Sequence, residues 1–122
     1  MKENLIQQKS YAFAIKIVGL YKLIIETRKE FVLSKQLLRC GTSIGANVEE
    51  AMGGQTRKDF TAKLAIAYKE ARETKYWLSL LKDTKYITQK EFSEIIEPCE
   101  EILKIIGSIQ VTMKLQIKND EL

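Results

Sequence analysis

Residues 68–82 hold the side chains best suited to chemistry outside a core. Tyr68, Arg72, Lys75, Tyr76 and Lys82 recur at helical spacing along one side of that stretch. Cations pair phosphates and tyrosine rings stack on unpaired bases, so this is the candidate RNA surface. The same residues also fit an ordinary solvated face with tyrosine bodies packed at its edge, and nothing here matches an RNA-recognition motif. A second polar set is Arg39, Ser43, Asn47 and Glu50, at steps of four, four and three. Glu70, Glu73 and Trp77 share a face further along the chain. If these stripes are internal, Asn47 and Ser43 must find partners, and Glu73 or Arg72 would supply them. If they are exposed, they form a recognition patch for RNA or a partner.

Catalysis finds little support. Glu49, Glu50, Glu70, Glu73, Glu97, Glu100 and Glu101 are candidate metal-binding carboxylates, but a bundle di-iron site needs Glu-x-x-His on two helices and the chain has no histidine. The same absence removes histidine acid–base chemistry, Ser-His and Cys-His pairs and nearly all zinc or haem sites. Ion pairing with Lys69, Arg72 and Lys75 accounts for Glu70 and Glu73. There is no Walker loop and no GxGxxG fingerprint. No enzyme activity, cofactor, metal or small-molecule substrate is expected. Cys40 and Cys99 lack CxxC spacing and read as reduced core thiols of a cytoplasmic protein.

The elements that would position these residues are helical. The chain has 122 residues, 45% hydrophobic and 30% charged, enough for one domain spanning 1–122 with a core of its own. Ile6, Ser10, Phe13, Ile17, Leu20 and Ile24 repeat at steps of three and four, predicting a first helix over about 5–27 with Ala14, Val18, Tyr21 and Ile25 widening its stripe. Arg28, Lys29 and Glu30 read as a loop. Ser34 reads as the N-cap of a second helix with Leu37, Gly41, Ile44, Val48 and Ala51 inside and a left-handed glycine cap at Gly53–Gly54. Gly41 and Gly45 form a GxxxG pair, either a subunit contact or room for bulky neighbours within the bundle. Thr56 opens a third helix with Phe60, Leu64, Ala67, Ala71, Thr74, Leu78 and Leu81 inside. Thr88 and Glu91 form a capping box for a fourth, lined by Phe92, Ile95, Cys99, Ile102, Ile106, Ile109 and Met113. Pro98 predicts a kink or a break. The fold class is all-α, an antiparallel up-down-up-down four-helix bundle. No signal peptide or membrane-spanning segment is expected.

Net charge is +4, unevenly spread: residues 1–33 carry +3, residues 56–87 carry +4 and residues 88–122 carry −3. A basic side and an acidic side follow unless neighbouring segments mix them.

Two segments, RCGTSIGANVEEA at 39–51 and DFTAKLAIAYKEARETKYWLSLL at 59–81, resemble the 23S rRNA-intervening sequence proteins. More distantly the chain is similar to the accessory variability determinants of diversity-generating retroelements. Gly45 stands where one branch of the family has proline, and either residue weakens a helix locally. The resemblance implies a four-helix bundle with no assigned enzymatic activity. It also implies a homo-oligomer, a pentamer by likeness to five-fold rings that work beside a reverse transcriptase and its RNA, with helix 2 or 3 at the contact. Five copies at +4 each would carry +20, a strong attractor of polyanions. The leading expectation is a non-enzymatic, oligomeric bundle that binds RNA or a nucleoprotein partner. The alternative is a structural or protein-interaction module with no nucleic-acid role, its polar residues Arg39, Ser43, Asn47, Glu50 and Glu73 serving as a network or interface.

Overall fold

The structure is a computed structural model that describes residues 2–121, with side-chain surroundings from Leu5 onward. Helix α1 spans Lys2–Leu23 and continues as a wider π-helical turn over Ile24–Arg28. Helices α2, α3 and α4 span Leu33–Met52, Arg57–Asp83 and Gln89–Asp120. Each helix packs on its neighbours in chain order, and α1 closes the circle on α4. The α2–α3 interface is the most extensive and the α1–α4 interface the thinnest. This is an all-α up-down-up-down four-helix bundle.

The helical period places the core where the sequence predicts. Ile6, Phe13, Ile17 and Ile24 of α1 meet Leu37, Ile44 and Val48 of α2, Leu64, Leu78 and Leu81 of α3, and Ile102 and Ile106 of α4, all essentially without solvent contact. Ala67 and Ala71 are both buried, and at Ala71 helix α4 comes close: Cys99 Sγ lies 3.5 Å from the Ala71 carbonyl oxygen. Both thiols are free and buried, and burial pushes Cys40 up to about 11 and Cys99 up to about 12, which leaves them protonated and poorly nucleophilic.

GxxxG on α2 serves packing within the chain. A Cβ at Gly41 would stand 2.8 Å from Cγ1 and Cγ2 of Ile17, and one at Gly45 would stand 3.4 Å from the Ser10 carbonyl oxygen. The glycines bring α2 against α1.

Helix ends differ from expectation at three places. Ser34 is not the N-cap of α2: it is buried one residue inside the helix, and Glu30 does the capping. The Glu30 carboxylate accepts from the backbone N–H groups of Val32, Leu33 and Ser34 at 3.0, 2.9 and 2.7 Å. Burial works to raise the Glu30 pKa, but these donors outweigh it and hold the carboxyl below its ordinary value. Left-handed backbone falls at Lys29, φ 55°, and Lys85, φ 68°, and at no described glycine; Gly53 ends α2 with φ −86°. Helix α4 runs through Pro98 as one element, so of the expected kink or break the break does not occur, and Ile95, Cys99 and Ile102 on either side bury against one core.

Both expected N-caps of the later helices form. Thr56 accepts from the Asp59 N–H at 3.0 Å, and Thr88 with Glu91 completes a reciprocal capping box. Glu91 also ties the bundle shut. Arg28 donates to both of its carboxylate oxygens at 2.7 and 2.8 Å, and to the Tyr86 carbonyl at 2.9 Å. The Arg28 hydrogen bond leads in holding Glu91 down at about 2, against an ordinary 4.5. A depressed carboxyl contributes stability above its unfolded value and loses it as pH falls through the folded one. Acid titration followed by circular dichroism therefore shows stability falling between about pH 4.5 and pH 2. Glu91→Gln shows a flatter fall over that window and a lower melting temperature at neutral pH; an unchanged acid profile would remove the pair from this role.

Candidate nucleic-acid interface

Helix α3 separates its two polar sets onto opposite flanks. On the flank facing α2, Arg39 donates through Nη1 to Glu70 Oε2 at 3.3 Å and through Nη2 to Glu73 Oε1. Trp77 Nε1 adds a bond to Glu73 Oε1 at 3.3 Å. The Arg39 hydrogen bond holds the Glu73 carboxyl below its ordinary value. Burial pushes Glu70 up, and its neighbour Glu73 adds to that shift.

The expected partners were different. Lys69, Arg72 and Lys75 do not pair with these acids; the cation comes from α2. Asn47 does not reach Glu73 either. Its Nδ2 donates to the Ser43 carbonyl at 2.8 Å, and Ser43 Oγ donates to the Arg39 carbonyl at 2.6 Å, so both hydroxyl and amide are satisfied along their own helix. Glu50 is exposed and only 4.0 Å from Lys63 Nζ. The stripe is thus a half-exposed seam joining α2 to α3, with Arg39 as its working link.

On the other flank, Tyr68, Arg72, Lys75 and Tyr76 line an open groove of about 480 Å³ between α3 and α4. Ser79 and Leu103 complete its lining. Arg72 and Lys75 are exposed and have no ion partner among the described residues. Tyr76 is 60% exposed, its ring held edge-on to Trp77 at a centroid distance of 5.1 Å. Tyr68 is half-buried, its ring lying beside Gly107 of α4, where a Cβ would make an ordinary contact at 3.9 Å from Tyr68 Cε2. Lys82 stands apart from this group. Its Nζ sits 4.2 Å from the centre of the Phe92 ring and 3.6 Å from Asp83 Oδ1.

Sequence reasoning on α3 alone missed Ser79, Leu103 and Gly107. The step of four from Leu103 to Gly107 was a usable signal, but which helix faces it is a tertiary fact. The basic segments do not converge. Helices α1 and α3 occupy opposite corners, and acidic α4 lies between them, with Lys9 bonded to Glu101 at 2.9 Å. Among the described residues no group of His, Cys, Asp and Glu could hold a metal, and no helix is long and apolar enough to cross a membrane.

This arrangement has known counterparts in overall structure. A crystal structure of a protein of unknown function from the S23 ribosomal protein family of Bacteroides thetaiotaomicron superposes with a TM-score of 0.89 at 53% identity, covering 90% of this chain and 98% of that one. No curated protein matches. The family model described as 23S rRNA-intervening sequence protein matches residues 2–108, which take in the whole of α1 to α3 and the groove-forming part of α4. With α1 to α3, most of α4, the two glycines of α2 and the resemblance at 39–51 and 59–81 inside that span, the chain belongs to the 23S rRNA-intervening sequence protein family.

Proposed function

We propose that the protein is a non-enzymatic, self-associating cytoplasmic bundle that binds single-stranded RNA along the α3–α4 groove. One observation carries this reading: Arg72 and Lys75 are left without counter-charges between the rings of Tyr68 and Tyr76, because Glu70 and Glu73 are turned to Arg39 on the opposite flank. Cations spaced along a helix pair successive phosphates, and the two rings offer π-faces to unpaired bases. Lys82 lies over Phe92 and plays no part in the groove. The family's name, which ties its members to intervening sequences of 23S ribosomal RNA, fits an RNA ligand. The five-fold assembly of the similar ring proteins makes a pentamer the expected oligomer. Repetition would place the groove several times on one particle and raise its avidity.

Because stacking needs unpaired bases, the test compares strands. Fluorescence anisotropy at low salt shows a labelled single-stranded RNA of about 20 nucleotides binding more tightly than the same sequence in a duplex, a length that spans more than one groove. No binding of either strand form would leave the competing reading, an interaction module without nucleic acid. That reading draws support from the placement of α1 and α3 at opposite corners.

A further inference from the structure

The outer side of α1 carries a second apolar seam that the bundle does not cover. Tyr11, Ile15, Gly19 and Leu23 follow one another at steps of four, and all are exposed, Tyr11 at 70% and Ile15 at 59%. Such a row is a ridge of the kind that packs into the groove of another helix.

Gly19 adds an independent observation. Glycine in a helix interior costs stability relative to alanine, and Gly41 and Gly45 are explained by close neighbours within the chain. A Cβ at Gly19 would meet nothing within 4 Å. Open hollows flank it, one of about 470 Å³ with Tyr11, Ile15 and Val18, one of about 410 Å³ with Lys16, Leu20, Leu23 and Ile95, where Glu91 and Glu94 of the same chain's α4 form the far wall. The isolated chain gives no reason for a glycine there, whereas a second helix crossing at that point does.

Charge selects the occupant. From Leu5 to Ile25 the chain has three lysines and no acid, and from Glu91 to Leu103 it has five glutamates and no base. Within the chain Lys9 takes Glu101 and Arg28 takes Glu91. Lys16 and Lys22 beside the α1 seam, and Glu97 and Glu100 on the outer face of α4, are left without ion partners among the described residues. Two copies of α1 crossing about a two-fold axis at Gly19 would set lysine against lysine. The outer face of α4, where Ile96 sits among Ser93, Glu97, Glu100, Glu101 and Lys104 along a groove of about 490 Å³, offers an apolar centre and, with Glu101 taken by Lys9, two free carboxylates against one lysine, an excess of the opposite charge.

We infer that the Tyr11–Ile15–Gly19–Leu23 seam of one chain packs against the outer face of α4, around Ile96, Glu97 and Glu100, in a second copy of the same chain. The two faces differ, so the contact is heterologous and propagates into a closed ring or a filament. It rests on the self-association in the proposed function and moves the contact from α2 or α3 to α1 and α4. The face it covers shares no lining residue with the groove of Tyr68, Arg72, Lys75 and Tyr76.

Light scattering on the full chain at micromolar concentration tests it, with circular dichroism to confirm helix content. The wild type runs at a multiple of 14.1 kDa. Gly19→Leu, the pair Glu97→Lys with Glu100→Lys, and the pair Lys16→Glu with Lys22→Glu each fall to 14.1 kDa with helicity retained. All four charge reversals in one chain restore the assembly. The charge variants occupy exposed positions and carry the test should Gly19→Leu fail to fold. A wild-type oligomer that survives every variant overturns this seam and leaves self-association standing. Single-face variants that dissociate without rescue by the four reversals overturn α4 as the partner face. A wild type found only at 14.1 kDa overturns both the seam and self-association, with RNA binding judged separately.

Discussion

Gly41→Val destabilises the bundle by roughly 3 kcal/mol or more in a urea titration, a large part of the ~5–15 kcal/mol that holds a small domain folded. The first atom added already collides: a Cβ at this position lies 2.8 Å from Cγ1 and Cγ2 of Ile17 and 3.0 Å from its Cδ1. Those γ carbons branch directly from the Ile17 Cβ, and the side chain has no solvent contact, so it cannot swing aside. Relief requires α1 and α2 to separate, which opens the core along Phe13, Ile44 and Val48. Gly45→Ala is the contrasting case. Its Cβ would meet the Ser10 carbonyl oxygen at 3.4 Å, and the gain of up to ~1 kcal/mol in helix propensity offsets that contact. Ile17→Ala costs about 2–5 kcal/mol alone. Combined with Gly41→Val it costs less than the sum of the two, because the added methyls fill the space vacated. Additive losses would show that the clash is not with Ile17.

Period and capping chemistry made the fold readable. The inward positions of α3 and α4 follow from spacing alone, and Thr56, Thr88 and Glu91 announce their helix starts by residue type. What was not readable depends on which helix lies beside which. Glu30 caps α2 from outside the helix, reaching three backbone donors through a turn set by left-handed Lys29, whereas short-range rules point to Ser34. Arg39 takes Glu70 and Glu73 from the adjacent helix α2, while rules for neighbours three or four apart point to Lys69, Arg72 and Lys75. The aromatic and basic residues of the groove were visible from spacing; the α4 wall that makes it a groove was not. On α1, Val18 and Ala14 read as a widened core stripe, but with Tyr11 and Ile15 they line a hollow on the outer side.

Replacing Arg72 and Lys75 together with alanine weakens single-stranded RNA binding by about tenfold or more for each engaged subunit, the equivalent of roughly 1.4 kcal/mol or more. Both side chains are exposed and unpaired, so their removal leaves the fold intact, and surface changes of this kind stay within about 0.5 kcal/mol of the wild-type stability. The electrostatic part has a second signature. Each phosphate neutralised on a single strand contributes about −0.7 to the slope of log K against log salt, so two lost cations flatten it by about 1.4 per engaged subunit. Tyr68→Ala and Tyr76→Ala act differently: they weaken binding while leaving the salt slope unchanged, because stacking releases no counterions.

The most direct measurement is therefore the salt dependence of single-stranded RNA binding, by fluorescence anisotropy, for the wild type and for the Arg72→Ala, Lys75→Ala double variant. The groove account predicts tight, steeply salt-dependent binding by the wild type, and weaker, flatter binding by the double variant. Equal affinity and equal slope for the two proteins would contradict it.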